Sequence, residues 1–217
     1  MLGKLRKKIK PMLFFLAKPF AALGVHPNAV TLLGIPFALA AAYFIFQQQY
    51  LNAFFFVILA VLMDLIDGSV AGLSGKRSYF GNYFETMVDK YVEFIVFSGF
   101  VFAFPLETVL LVGLSLIESY AKPRVALVII ADNRDWPALG EHADKFALLL
   151  AGLFVSAFFP AAFGYETMRL FLLLLILVVF VGGIQRILYA RKLIREAQKK
   201  GRILPYLKKG LGHKPVK

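Results

Sequence analysis

The chain has no cysteine and little negative charge. Its 217 residues include 13 Asp and Glu against 25 Lys and Arg, with 3 His and 1 Trp. The missing thiols exclude disulfides, cysteine-ligated zinc and iron–sulfur clusters, and leave the redox compartment unreadable. Charged residues make up only 18% of the chain and hydrophobic residues 59%. A soluble domain of this size has more of the first and fewer of the second. The surplus apolar surface, including 23 Phe, is too large for one soluble core to hide, so membrane insertion is the simpler account. The net charge of +12 would suggest a nucleic-acid partner in a soluble protein. Its placement argues for a lipid surface instead, and no nucleic acid is expected.

Six apolar blocks lie at approximately 28–47, 50–72, 80–104, 107–131, 142–162 and 166–190. Each has roughly the ~20 residues that a helix needs to cross a bilayer. Continuous runs of this length argue helix, because the backbone must satisfy itself in lipid. The expected fold is an all-α integral membrane protein with six transmembrane helices. An even number of crossings puts both termini on one side. With the termini in the cytoplasm, Lys4, Arg6, Lys7, Lys8, Lys10, Lys18, Lys76, Arg77, Lys122, Arg124, Arg134, Lys145 and the tail from Arg186 are inside, while the outer connections hold Arg169 alone. That asymmetry fits the positive-inside rule. A basic rim facing anionic headgroups is the ordinary reading of most of these cations. Residues 1–26 mix cations with Leu, Ile and Phe and read as an amphipathic juxtamembrane helix on the membrane surface. No cleaved signal peptide is expected there. Pro27 breaks the chain and Asn28 is a natural N-cap. Residues 27–192 form the six-helix domain and residues 193–217 a basic cytoplasmic tail, broken by Gly201, Pro205, Gly210 and Pro215.

Several residues do not belong in a membrane. Asp64 and Asp67, near the end of the second block, share a helix face, with Ala71 one turn on. Glu85 and Asp89, in the third block, share another, with Gly81 a turn before. The short loop between the blocks makes the two helices antiparallel neighbours, so four carboxylates meet at one depth. Unpaired, they repel one another and resist desolvation. Divalent cations resolve the conflict, because magnesium, manganese and calcium prefer carboxylate oxygens. Such a quartet can hold one ion or a pair roughly 4 Å apart. The competing reading pairs the acids with Lys76, Arg77 and Lys90, or makes them proton carriers. The adjacent glycine and alanine weigh against it, because they clear space for a ligand beside the backbone.

The pattern Asp64-x2-Asp67-Gly68-x2-Ala71-Gly72-x8-Gly81-x3-Glu85-x3-Asp89 resembles the signature of the CDP-alcohol phosphotransferases, D-x2-D-G-x2-A-R-x8-G-x3-D-x3-D, with every spacing kept. Pro27-Asn28-x2-Thr31 resembles the family's usual opening, and the likeness covers roughly 27 to 190. Gly72 stands where the family has arginine, and Glu85 where it has aspartate. Lys76 or Arg77 is a candidate replacement for the lost cation. The resemblance implies an integral, multi-pass membrane enzyme with its active site facing the cytoplasm. It implies Mg2+ or Mn2+ as cofactor, as two ions held by Asp64, Asp67, Glu85 and Asp89. It implies a CDP-linked lipid donor bound around Asp64, Gly68, Ala71 and Gly81, with Lys76 and Arg77 at the rim. Asp89 is the implied general base, taking a proton from a small polar alcohol acceptor. Homodimers are usual in the family.

Glu118-Ser119-Tyr120-Ala121-Lys122-Pro123-Arg124 resembles the S-Y-x-K-A-R pattern of members that use phosphorylated polyols, the phosphatidylinositol-phosphate and archaetidylinositol-phosphate synthases. Gly140-Glu141-His142-x-Asp144-Lys145 resembles their G-E-R-x2-R run, with His142 and Lys145 in place of arginines. Lys122 and Arg124 are therefore candidate ligands for an acceptor phosphate, with His142 and Lys145 as further candidates. The alternative is that Lys122 and Arg124 snorkel or pair with Glu118. Glu93 either lines the cavity or pairs with Arg124. Trp136 fits an interfacial aromatic belt, His26 and His213 a surface, and the Gly182-Gly183 pair a close helix contact. Three functions stay open at this point: a transferase of lipid synthesis, a weakened member that binds CDP-lipid without turnover, and an ion or proton transporter. Acids clustered at one end of two helices disfavour the transporter. Inositol phosphate, glycerol phosphate and serine all stay open as acceptors.

Overall fold

The computed structural model describes residues 2–130, 136 and 138–204, with backbone alone for residues 2–10. Expectations for Arg134, Pro205, Gly210, His213, Pro215 and the side chains of Lys4, Arg6, Lys7, Lys8 and Lys10 lie outside the described residues. The described residues form helices α1 (Leu2–Ala22), α2 (Pro27–Leu32), α3 (Gly34–Phe46), α4 (Tyr50–Leu73), α5 (Tyr79–Ser98), α6 (Pro105–Ala126), α7 (His142–Phe158) and α8 (Thr167–Lys199). A two-residue-per-strand hairpin, β1 (Ala161–Ala162) and β2 (Tyr165–Glu166), precedes α8.

The six apolar blocks reappear as α2 with α3, then α4 to α8. Helices α4 and α5 run antiparallel across the short connection, and Ser78 caps α5 by accepting a bond from the Gly81 N–H at 2.9 Å. The cap of α2 is His26, not Asn28: its Nδ1 accepts from the Asn28 N–H at 3.2 Å. Pro27 explains the shift, because a residue without N–H suits the first helical position and makes its predecessor the cap. Helix α7 stops at Phe158, earlier than expected, because Pro160 disfavours helix in the residue before it.

Helix α3 packs on α4 and α5, α4 on α7, α7 on α8, and α6 on α8. Their shared core includes Phe97, Phe100, Leu111, Phe146, Leu149 and Leu172. The amphipathic α1 lies along α4. Its buried stripe, Leu13 and Ala17, meets Val30, Met63, Ile66 and Val70, while Phe15 is 71% exposed. Tyr43, Phe55, Phe102 and Leu177 also present apolar surface outward, more than a soluble chain tolerates.

Among the described residues, three stretches are long and apolar enough to cross a membrane: Pro27–Phe46, Tyr50–Leu73 and Thr167–Lys199. Helices α5 and α6 have the length, but their charged residues lower their hydropathy, and α7 has 17 residues. Trp136 departs from the expected belt. It is buried among Val125, Ile129 and Ala197, with its ring 5.2 Å from that of Tyr189. The α8 extension beyond the core supplies that pocket.

The glycine pair in α8 has divided roles. A Cβ at Gly182 would lie 2.1 Å from the Leu139 carbonyl oxygen, whereas one at Gly183 would meet nothing within 4 Å. Gly182 therefore lets the segment before α7 rest on α8. Gly182→Ala is expected to lower stability by roughly 1–3 kcal/mol through overpacking and Gly183→Ala to leave it unchanged. Thermal midpoints of the two variants in detergent check this, and equal midpoints would show that the close approach contributes nothing.

Candidate active site and metal centre

The carboxylates converge as the antiparallel pairing requires. One group joins Asp64, Asp67 and Glu85; a second joins Asp64, Asp89 and His142. Within each, one ligand atom per residue lies within 4.8 Å of the others. Asp64 belongs to both. Asp67 is the most buried of the four acids, at 3% exposure. Thr31 donates its hydroxyl to Asp67 Oδ2 at 2.5 Å, which leaves Oδ1 buried without a hydrogen-bond partner. An orphaned carboxylate oxygen in an acidic cluster is costly, and a divalent cation satisfies it. The donor set thus fits a hard divalent ion. Among the described residues, no lysine or arginine is ion-paired with Asp64, Asp67 or Asp89. Lys90 turns to Glu93 at 3.2 Å and Lys76 reaches the Gly24 carbonyl at 3.5 Å.

A cavity of about 680 Å³ opens beside this cluster, lined by Asp67, Gly68, Ala71, Gly81 and Glu85, with Lys76 and Arg77 at its rim and Leu13 and Phe14 of α1 on its apolar wall. A Cβ at Gly68 would meet nothing within 4 Å, so the absent side chain leaves the space open. At Gly72 a Cβ would lie 3.0 Å from Arg77 Nη2. The Arg77 guanidinium therefore occupies the surroundings of the position where an arginine was missing.

Beyond the acids runs a buried ion network. Glu93 accepts from Lys145 Nζ at 2.5 Å and from Lys90 Nζ at 3.2 Å, and its Oε2 lies 3.3 Å from His142 Nδ1. Lys145 is also 3.7 Å from Glu118, which pairs with Arg186. The network ties α5, α6, α7 and α8 together at one level. It corrects three expectations. Glu93 pairs with Lys145, Lys90 and His142, not with Arg124. Lys145 has no exposed surface and both carboxylates engage it, so it has nothing to offer an acceptor phosphate. Glu118 likewise pairs with Lys145 and Arg186, not with Lys122 or Arg124. Lys122 is half-buried and Arg124 exposed on the last turns of α6. Two functional residues escaped the sequence reading. Thr31 stood only in a motif, with no partner to name. Arg186, 6% exposed, looked like the first cation of a basic tail; its signal was position, because apolar residues of α8 continue past it.

A family model of the CDP-alcohol phosphatidyltransferases matches residues 24–182. The chain belongs to that family. It is accordingly a transferase that acts on CDP-linked alcohols. It is 24% identical over 196 residues to the archaetidylinositol phosphate synthase of Pyrococcus horikoshii, covering 88% of this chain and 97% of the relative. It is 27% identical over 202 residues to the phosphatidylinositol phosphate synthase of Streptomyces avermitilis, covering 82% and 79%. The fold is that of the Mycobacterium tuberculosis phosphatidylinositol phosphate synthase. Its crystal structure with CDP-DAG bound superposes with a TM-score of 0.70 at 23% identity, covering 83% of this chain and 94% of that one. Its complex with manganese and citrate gives 0.70 at 22%, covering 82% and 88%.

The network yields a test of its own. Lys145→Met leaves Glu93 and Glu118 short of a buried cation and is expected to cost about 3–5 kcal/mol. Glu107→Gln, which breaks the half-exposed pair with Arg169 at 2.7 Å on the hairpin side, should cost less. The loss of thermal stability in detergent ranks the two; equal losses would remove the network's claim to hold the bundle.

Proposed function

We propose that the protein transfers a phosphatidyl-type group from a CDP-linked lipid to a phosphorylated polyol, releasing CMP, in phospholipid synthesis. Family membership supports the transfer, and the names of the relatives support the acceptor class. The observation that ties the chemistry to this chain is the pair of acidic groups that share Asp64, beside a cavity with one charged end and one apolar wall.

Asp64, Asp67, Glu85 and Asp89 would hold Mg2+ or Mn2+, as a pair of ions. When bound, the cations neutralise the donor diphosphate and make CMP a better leaving group. Gly68, Ala71 and Gly81 admit the nucleotide close to the helices, and Lys76 and Arg77 receive its charged end. Leu13 and Phe14 border the lipid part. Asp89 takes the proton from the acceptor hydroxyl. The acceptor oxygen then bonds to the lipid-bearing phosphorus, and the bond from that phosphorus to CMP breaks. Lys122 and Arg124 are the acceptor-phosphate ligands. Arg77 beside Gly72 argues against a weakened enzyme, because a cation still stands where the motif needs one.

The same reading places six crossings in the membrane, with α2 and α3 as one, and α4 to α8 as the rest. The cation-rich ends of α4, α5, α6, α7 and α8 then lie together, and the positive-inside rule puts them, with the active site, in the cytoplasm.

Purified protein incubated with CDP-diacylglycerol or its ether-lipid counterpart, Mg2+ or Mn2+, and inositol phosphate, glycerol phosphate or serine is expected to release CMP with a phosphorylated polyol. CMP from none of them would sink the proposal, and CMP from serine alone would sink the acceptor class. Asp67→Asn and Asp89→Asn should each lower the rate by more than about 100-fold, beyond the usual effect of a residue that only supports a metal ligand. Arg77→Ala should raise the donor KM roughly tenfold, the size of one lost charge-assisted bond. An unchanged KM would show that Arg77 does not stand in for the missing arginine.

A further inference from the structure

We propose that His142 is a nitrogen ligand of the cation centre, at a second ion position made with Asp64 and Asp89. The proposal rests on the reading of the carboxylates as a cation centre and adds a ligand that no carboxylate motif contains. His142 opens α7, and a ring nitrogen lies within 4.8 Å of oxygens of both Asp64 and Asp89. The ring also has a carboxylate neighbour on α5. Its Nδ1 is 3.3 Å from Glu93 Oε2, and Glu93 is itself fixed by Lys145 at 2.5 Å. The imidazole also packs on Phe146, with ring centroids 4.6 Å apart.

A carboxylate that accepts the Nδ1 proton sets the tautomer and leaves the Nε2 lone pair for a metal, the arrangement by which proteins orient histidine ligands. The buried ion network is thus the outer support of the ligand. The second observation comes from the other acidic group. Asp67 Oδ1 is buried without a partner, and Asp67 shares Asp64 with the His142 position. Asp64 is common to an all-oxygen group and a mixed nitrogen–oxygen one. Imidazole is a poor ligand for Mg2+ and a better one for transition-metal ions. His142 therefore faces the cations instead of the acceptor phosphate, and it biases the second position toward Mn2+.

The test uses the full-length protein in detergent or nanodiscs with Mn2+ alone, without donor or acceptor. Continuous-wave EPR counts bound Mn2+, and electron spin-echo modulation detects coordinated nitrogen. Two bound ions are expected, with a nitrogen coupling that changes character when the protein is labelled with 15N-histidine. His142→Gln should abolish that coupling and weaken the second ion about tenfold or more, leaving the first ion bound. The Mn2+ over Mg2+ preference at the second position should shrink with it. Bound Mn2+ without a histidine nitrogen in the wild type would overturn this proposal alone. Nitrogen coupling that persists in His142→Gln would overturn it too. No bound Mn2+ at all would overturn the cation centre itself. The isotope label needs no variant, so misfolding of His142→Gln does not shield the proposal.

Discussion

Four carboxylates held together between two antiparallel helices are the constraint on which the rest of this structure depends. Like charges at this spacing repel, and burial magnifies the cost. Asp67 alone, 3% exposed with one oxygen unpartnered, is hard to explain as a structural residue. The bundle has not relieved the problem in the way proteins usually do, because nearby cations are directed elsewhere. Lys90 goes to Glu93 and Lys145 to Glu93 and Glu118. Among the described residues, Asp64, Asp67 and Asp89 are therefore left without a lysine or arginine partner.

This separation of charge sets the carboxylate cluster apart from the ion network among the described residues. The buried network of Glu93, Lys145, Glu118 and Arg186 gains little net stability from its attraction, because desolvation offsets most of it. Its value lies in register. It joins four helices at one depth, and a slip of any of them would leave a buried charge alone. The helices it aligns include α5, which bears Glu85 and Asp89, and α7, which bears His142. The Thr31 hydroxyl does the corresponding work from α2, bonding Asp67 at 2.5 Å.

Much of this was legible in the sequence. The spacing of Asp64, Asp67, Glu85 and Asp89, together with a loop too short for anything but antiparallel helices, is enough to bring the carboxylates together. What stayed hidden was the pairing of isolated charges. Lys145 stands three residues after a histidine in a stretch that resembles an arginine-bearing motif, so it read as a ligand for phosphate. Only its position inside the bundle, between Glu93 and Glu118, shows otherwise. Arg186 was hidden by its neighbours, because a cation at the head of a basic tail looks solvated. Trp136 read as a membrane-interface residue because the length of α8 beyond the core, which buries it, gives no local signal. In each case composition within one segment was informative and the partner across segments was not.

The two departures from the family signature show what such a motif specifies. At position 72 the chain has glycine, yet a guanidinium is present, reaching back from Arg77 in the loop to within 3.0 Å of where a Cβ would sit. Diphosphate recognition needs a delocalised cation at a point in space, and the backbone position that supplies it is secondary. Glu85 makes the same case from the opposite direction. Its longer side chain still brings an oxygen into the group with Asp64 and Asp67, because an extra methylene can be absorbed by rotation when the carboxylate has one function to meet. Position 85 keeps its carboxylate in the group, and position 72 has a guanidinium beside it. A motif read as letters marks them as losses, whereas read as charges placed around a cavity it still finds a cation and a carboxylate there.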